Sequence, residues 1–135
     1  MALSQVILFK KSLSPDIELI IKEQTEKIEQ KKDIYYLCKF CKTKITSARY
    51  KIKINGKFKH VCANPHGLIF EVGCFSDGKN FIPTGEPTKE FTWFPGYAWQ
   101  IVVCATCLNH LGWLYTSSES SFLGLILTNL IEEKN

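Results

Sequence analysis

Two Cys-x-x-Cys pairs, Cys38/Cys41 and Cys104/Cys107, stand 62 residues apart in this chain, and they constrain its fold more than any other feature. A two-residue spacer lets both sulfurs of a pair face one ion, so the four together form a soft, tetrahedral set suited to zinc. Compact zinc ribbons separate their pairs by ~15–20 residues. At more than three times that separation, one ion must tie an early segment of the domain to a late one. Four thiolates leave no open coordination position, so the expected cofactor is a single structural Zn²⁺. Lys39, Lys42 and Lys44 beside the first pair are placed to screen the negative charge of such a site. A redox dithiol needs only one such pair, in a thioredoxin-like βαβ setting that this β-rich sequence lacks. Cys62 and Cys74 lie in or beside apolar runs and read as small buried hydrophobes.

The amino-terminal run M-A-L-S-Q-V-I-L-F-K-K contains a short apolar stretch with no basic residue before it. It fits neither a secretory signal nor a membrane span, which predicts a cytoplasmic protein whose cysteines stay reduced and free to bind metal. A length of 135 residues suits one domain with a modest core, for which a metal staple matters. The net charge of +4 is mild and comes mainly from lysines between Lys22 and Lys59, so charge alone gives no nucleic-acid footprint.

Residues 1–34 read as an extension: Ser14-Pro15-Asp16 has the chemistry of a helix start, and apolar positions from Ile17 to Ile28 thin out towards Lys32. This extension is expected to pack on the edge of the domain or to serve as a partner-binding arm, with the domain proper at 35–135. From Tyr35 onward the texture is β. Alternation over Ile45–Ile54 predicts a half-wet strand, Asn55-Gly56 a type I′ turn, and Lys57–Val61 the returning strand. Asn64-Pro65-His66-Gly67 reads as a turn, Leu68–Phe75 as a strand and the Pro/Gly-bearing stretch Ser76–Pro87 as a loop. Thr88–Phe94 and Tyr97–Val103 read as a hairpin about Pro95-Gly96, and Leu108–Thr116 as a further strand. Phe122–Ile131 is an apolar run whose periodicity fits strand and helix alike.

Trp93, Trp99 and Trp113 fall on three of these segments, with Tyr115 on the same strand face as Trp113. A sheet that brings their faces together makes a three-walled box; a core tryptophan cluster is the plainer alternative. Such a box suits either a methylated ammonium, held by cation–π attraction, or a flat neutral ring whose edge is read by backbone groups.

The runs Asn64-Pro65-His66-Gly67, Gly85-Glu86-Pro87-Thr88, Thr92-Trp93-Phe94-Pro95-Gly96-Tyr97-Ala98-Trp99, Cys104-Ala105-Thr106-Cys107, His110-Leu111-Gly112-Trp113 and Phe122-x-Gly124-Leu125 closely resemble the CULT domain, the thalidomide-binding domain of cereblon, in order and spacing. The resemblance runs from about Leu37 to Leu130. It implies a β-tent, two antiparallel sheets pinned by the zinc, a fold shared with methionine sulfoxide reductase B and Yippee-like proteins. It further implies a cage of Trp93, Trp99 and Trp113 for a cyclic imide such as a glutarimide, with Asn64 and Pro65 at the rim and backbone groups of an extended Phe91–Trp93 segment pairing with the imide. Phe91 and Tyr115 depart from the family's His and Phe, which bears on selectivity. The ligands implied are glutarimide- and thalidomide-type rings, C-terminal cyclic imides on proteins, or uridine-like pyrimidines. No catalytic residue, nucleic-acid partner or membrane partner is expected. Nor do the leading residues resemble the region of cereblon that docks a ubiquitin-ligase adaptor. The alternatives are a β-tent reductase, which needs Cys62 or Cys74 as nucleophile, and the methylammonium cage, which needs Glu86 or Glu90 close by.

Overall fold

The alternation of side chains along each strand sorts the apolar residues into two cores, one on either face of a single large sheet. The computed structural model describes residues 34–134, in which nine strands form two antiparallel sheets. The helix expected near Pro15 lies outside the described residues. Strands β1 (Ile34–Cys38), β2 (Lys44–Ser47) and β9 (Leu130–Lys134) form a three-stranded sheet in the order β2-β1-β9. Strands β3 (Lys59–Ala63), β4 (Ile69–Phe75), β5 (Phe81–Thr88), β6 (Ala98–Cys104), β7 (His110–Thr116) and β8 (Ser121–Ile126) form a six-stranded sheet in the order β3-β4-β8-β7-β6-β5.

One face of the larger sheet sends Phe75, Val102, Leu111, Leu123 and Leu125 into a core shared with Tyr36, Ile45 and Leu130 of the smaller sheet and its connections. Val72, Cys74, Trp113, Tyr115, Phe122 and Ile126 point the other way and build a second core with Phe94; Leu111 and Trp113, two residues apart in β7, reach opposite faces because the register with β6 shifts between Val102 and Val103. The apolar run after Phe122 is thus strand, and its alternation feeds both cores. Among the described residues no helix is long and apolar enough to cross a membrane.

Four expected elements differ, the first being the strand expected over Thr88–Phe94, which is loop after Thr88 because β5 ends there. The strand expected through Ile54 ends at Ser47 in a 3₁₀ turn over Ala48–Tyr50, after which Lys51 forms an isolated bridge to Phe75. Its apolar alternation is real, but those residues pack from a loop. The Asn55-Gly56 turn keeps its two left-handed residues, at φ 53° and 81°, and closes only the single bridge Ile54–Lys57. The stretch expected to be a loop contains β5, despite Pro83, Gly85 and Pro87. Proline is tolerated there because β5 is an edge strand, and the pairing is interrupted between Thr84 and Thr88. Ile34, placed with the extension by sequence, already pairs with Lys134.

Candidate functional site

The two knuckles share one backbone design. In the first, Lys42 N–H donates to the Cys38 carbonyl at 2.7 Å and Cys38 N–H to Thr43 O at 2.9 Å; in the second, Leu108 N–H donates to Cys104 O at 2.8 Å and Cys104 N–H to Asn109 O at 2.9 Å. Each turn is completed by a left-handed residue just after its second cysteine, Lys42 at φ 63° and Leu108 at φ 64°. The first knuckle links β1 to β2 in the small sheet and the second links β6 to β7 in the large one, so the cysteines join the sheets.

All four sulfurs lie within 4.8 Å of one another. Cys38 Sγ is 3.6 Å from Cys107 Sγ, and Cys41 Sγ is 3.5 Å from Cys104 Sγ. Zinc–sulfur bonds of ~2.3 Å place the corners of a tetrahedron about 3.8 Å apart, so the set fits one tetrahedral ion. Burial pushes the Cys38 thiol up to about 12, and a cation among the sulfurs is what would let it ionise. Cys41 is held down to about 6 by the side chain and backbone of Thr43, whose Oγ1 is 3.2 Å from the sulfur. Cys107 is lowered by the backbone and side chain of Asn109. Thr43 Oγ1 also donates to Thr106 Oγ1 at 2.9 Å, joining the two knuckles beside the sulfurs.

Away from the cysteines, a cavity of about 750 Å³ opens beside the second core. Trp113 projects from the middle of β7 and Trp99 from the start of β6, while Trp93 comes from the loop between β5 and β6 rather than from a strand. The rings of Trp93 and Trp113 meet edge to face at 4.8 Å and 80°. Neither outer indole N–H is free: Trp93 Nε1 donates to Ala63 O at 2.9 Å and Trp99 Nε1 to Glu90 O at 2.7 Å. These bonds brace the loop against β3 and β6 and leave the cavity the apolar faces of the rings.

All seven residues expected at a ligand site line this cavity: Trp93, Trp99, Trp113 and Tyr115, with Phe91, Asn64 and Pro65. Asn64 Oδ1 is occupied within its own turn, accepting from the N–H groups of His66 at 3.0 Å and Leu68 at 2.9 Å, which leaves its amide N–H₂ as the polar group to offer. Phe91 is not extended as expected. It sits in the left-handed region at φ 57°, in a turn where Thr92 N–H donates to Lys89 O. Among the described residues, the backbone N–H and C=O groups of Phe91 and of Trp93 make no hydrogen bond. Tyr115 is buried, stacked on Phe122 at 5.0 Å and edge to face with Phe94, and burial followed by the nearby Cys62 and Cys74 raises its phenol far above the ordinary value.

Sequence reasoning did not place His66, Leu68, Phe70, Ile101 or His110 at the cavity, and all five line it. His110 Nε2 lies 3.0 Å from Gly112 O, and its ring meets Trp113 edge to face at 4.9 Å; burial lowers its pKa, so it is neutral at neutral pH. Phe70 packs edge to face on Trp113 at 5.3 Å. Among the described residues no Asp, Glu, Lys, Arg or Cys lines the cavity. Burial raises both leftover thiols, Cys74 to about 12.

Fold and site together define a mostly β domain of two antiparallel sheets, joined at a four-cysteine metal site and carrying a tryptophan-lined cavity. Comparison with known proteins finds relatives of this class. The chain is 36% identical over 102 residues to protein cereblon of Gallus gallus and 34% identical over 102 residues to that of Danio rerio, each match covering 70% of this chain and 23% of the relative. It is 32% identical over 89 residues to protein cereblon of Drosophila melanogaster, covering 62% of this chain and 15% of the relative. No family model matches the chain. This similarity is consistent with a cereblon-like CULT domain, and the chain spans less than a quarter of the length of these relatives.

Proposed function

We propose that this is a non-enzymatic binding domain whose cage of Trp93, Trp99 and Trp113 takes the ring of a cyclic imide, on a frame held by one structural Zn²⁺. The observation that carries the reading is the pair of backbone segments without partners among the described residues, at Phe91 and Trp93, beside three indole faces in one cavity. An imide edge is a single N–H between two carbonyls, so it needs one acceptor and at least one donor. Burying it unpaired between aromatic rings would cost ~1–3 kcal/mol per orphaned group. A C=O from Phe91 and an N–H from Trp93 supply that chemistry, and the amide N–H₂ of Asn64 adds a donor at the rim. The rings in this class are glutarimides, including thalidomide-type ligands and C-terminal cyclic imides on proteins, and uridine-like pyrimidines.

The lining argues against both alternatives. A cage for a methylated ammonium gains much from a carboxylate, and neither Glu86 nor Glu90 lines this one. A reductase needs a reactive thiolate at the cavity, whereas Cys62 and Cys74 stand outside it and burial raises both thiols. We assign the domain no nucleic acid or membrane as a partner, and we place its action in the cytoplasm.

Titrating the zinc-loaded protein with glutarimide is expected to quench tryptophan fluorescence saturably, with a Kd in the micromolar range, about −8 kcal/mol, as suits a small ring. A trimethyllysine peptide should not compete. Absence of any saturable change, or displacement of the imide by the peptide, rules the proposal out.

A further inference from the structure

The turn at Asn55-Gly56 belongs to neither the metal site nor the cavity, and its chemistry sets it apart from the other described asparagines. The side-chain carbonyl of an asparagine is open to attack by the backbone nitrogen of the next residue, which closes a ring. Attack needs an unbonded side-chain amide, an uncrowded neighbouring N–H and room to turn one towards the other. Four of the five described asparagines lack these. Asn64 is followed by Pro65, whose nitrogen carries no proton, and its Oδ1 accepts two bonds inside its own turn. Asn80 Nδ2 donates to Lys44 O at 2.9 Å, Asn109 Nδ2 to Cys107 Sγ at 3.3 Å and Asn129 Nδ2 to His110 O at 2.9 Å. Each of these three precedes a bulky residue, Phe81, His110 or Leu130.

Asn55 has all three. It and Gly56 are exposed, and among the described residues neither the Asn55 side chain nor the Gly56 N–H makes a hydrogen bond. Nothing lies within 4 Å of where a Gly56 Cβ would stand, so the approach to its nitrogen is open. Two backbone bonds hold the turn, from Ile54 N–H to Lys57 O at 2.9 Å and from Lys57 N–H to Ile54 O at 3.2 Å, and they form an isolated bridge rather than part of a ladder. A turn held so lightly opens at small local cost. Charge favours the step as well, because the attacking nitrogen must shed its proton and the closing ring gathers negative charge. Arg49, Lys51, Lys53, Lys57 and Lys59 flank the turn, and the sequence has no carboxylate from Cys38 to Phe70. Among the described residues only Lys59 has an acidic partner, Glu71 at 3.0 Å.

We propose that Asn55 is a site of spontaneous covalent modification, forming a succinimide with Gly56 that opens to aspartate and isoaspartate. The Gly56 nitrogen bonds to Cγ of Asn55, the Cγ–Nδ2 bond breaks, and Nδ2 leaves as ammonia carrying the proton that the Gly56 nitrogen gave up. Water then opens the ring at either carbonyl; one route yields aspartate, the other isoaspartate, with the main chain running through the former side chain. Water is the only co-reactant. The ring nitrogen carries the chain and no hydrogen, so this succinimide is not a ligand of the tryptophan cage. The product places a negative charge in the basic stretch. As isoaspartate it also lengthens the backbone of a turn whose neighbours Ile52 and Ile54 pack against the second core.

The test holds the zinc-loaded protein at neutral and at mildly basic pH. Peptide mapping by mass spectrometry reads the replacement of NH₂ by OH at each asparagine, and an isoaspartate carboxyl methyltransferase reads the isomer. Conversion is expected at Asn55 at least about fivefold faster than at any hydrogen-bonded asparagine, the factor one side-chain hydrogen bond corresponds to, and faster as the pH rises. Lys53 and Lys57 are exposed. Lys53→Gln combined with Lys57→Gln should slow conversion about twofold, as expected of two screened surface charges, and high salt should narrow that gap. Conversion at Asn55 no faster than at the other four, a product without isoaspartate, or a double variant as fast as the wild type at low salt overturns the proposal. The wild-type comparison among asparagines decides the matter even if the variant folds poorly.

Discussion

At the scale of single residues, the cage tryptophans do two things at once. Trp99 offers an indole face to the cavity and, through Nε1, holds the Glu90 carbonyl at 2.7 Å, which fixes the peptide that leads into Phe91. Trp99→Ala removes both the wall and the brace. Central aromatic anchors cost at least ~2 kcal/mol on truncation, about thirtyfold in affinity, so glutarimide binding should fall by that factor or more. Trp99→Phe keeps an apolar wall without the brace and is expected to fall between the two. Trp99 and Cys104 sit near opposite ends of β6, so metal content measured by mass spectrometry should be unchanged in both variants; loss of metal would show that the cage and the metal frame are not separable. At this scale the sequence was most legible where rare residues carry chemistry: the four cysteines and the three tryptophans are conspicuous in any context. Leu68, Phe70 and Ile101 were not. As strand-type hydrophobes they carry the same signature whether they face a packed core or an open cavity, and only the arrangement of neighbouring elements separates the two.

At the scale of elements, β7 carries His110, Trp113 and Tyr115 into the cavity lining and is packed closely against β8. Gly112 pairs with Leu125, and a Cβ at Gly112 would run into the carbonyl oxygen of Gly124 and come within 2.8 Å of the Leu125 Cα. Both obstacles are backbone and cannot swing aside. Gly112→Ala must therefore push the strands apart directly beside Trp113. Overpacking of this kind costs ~1–3 kcal/mol, and 1 kcal/mol shifts the Tm of a domain of this size by roughly 4–8 °C. Thermal denaturation should show a loss of roughly 5–20 °C, with weakened imide binding at temperatures where the variant is still folded; an unchanged Tm would mean that the strands can separate freely there. The elements that sequence reasoning missed have a common cause. Proline and glycine punctuate chains reliably in the middle of a sheet, but β5 lies at the edge, where a missing N–H is harmless. Conversely, the alternation from Tyr50 to Ile54 has the period of a strand, yet no neighbouring strand is in register to pair with it. Among the described residues only the bridges at Lys51 and Ile54 form.

At the scale of the whole domain, the six-stranded sheet separates two cores, and two cysteines of the candidate metal site, Cys38 and Cys104, are buried in one of them. The core that includes Cys38 and Cys104 lies between the sheets, with both cysteines fully buried, whereas the second core supports the cage from the other face. The two are nonetheless linked through shared strands: β7 contributes Leu111 to one and Trp113 to the other, and β6 begins at the cage and ends at the second knuckle. Metal affinity in small zinc domains has an apparent worth on the order of 10 kcal/mol, comparable with the ~5–15 kcal/mol that separates folded from unfolded states. Removing the ion from four crowded sulfurs should therefore take most of the folding free energy with it. A strong chelator is expected to lower the Tm sharply and to abolish imide binding together with the quench, and stoichiometric Zn²⁺ should restore both. If the chelated protein instead keeps full affinity for glutarimide, the second core holds the cage open by itself and the metal serves only to attach the smaller sheet.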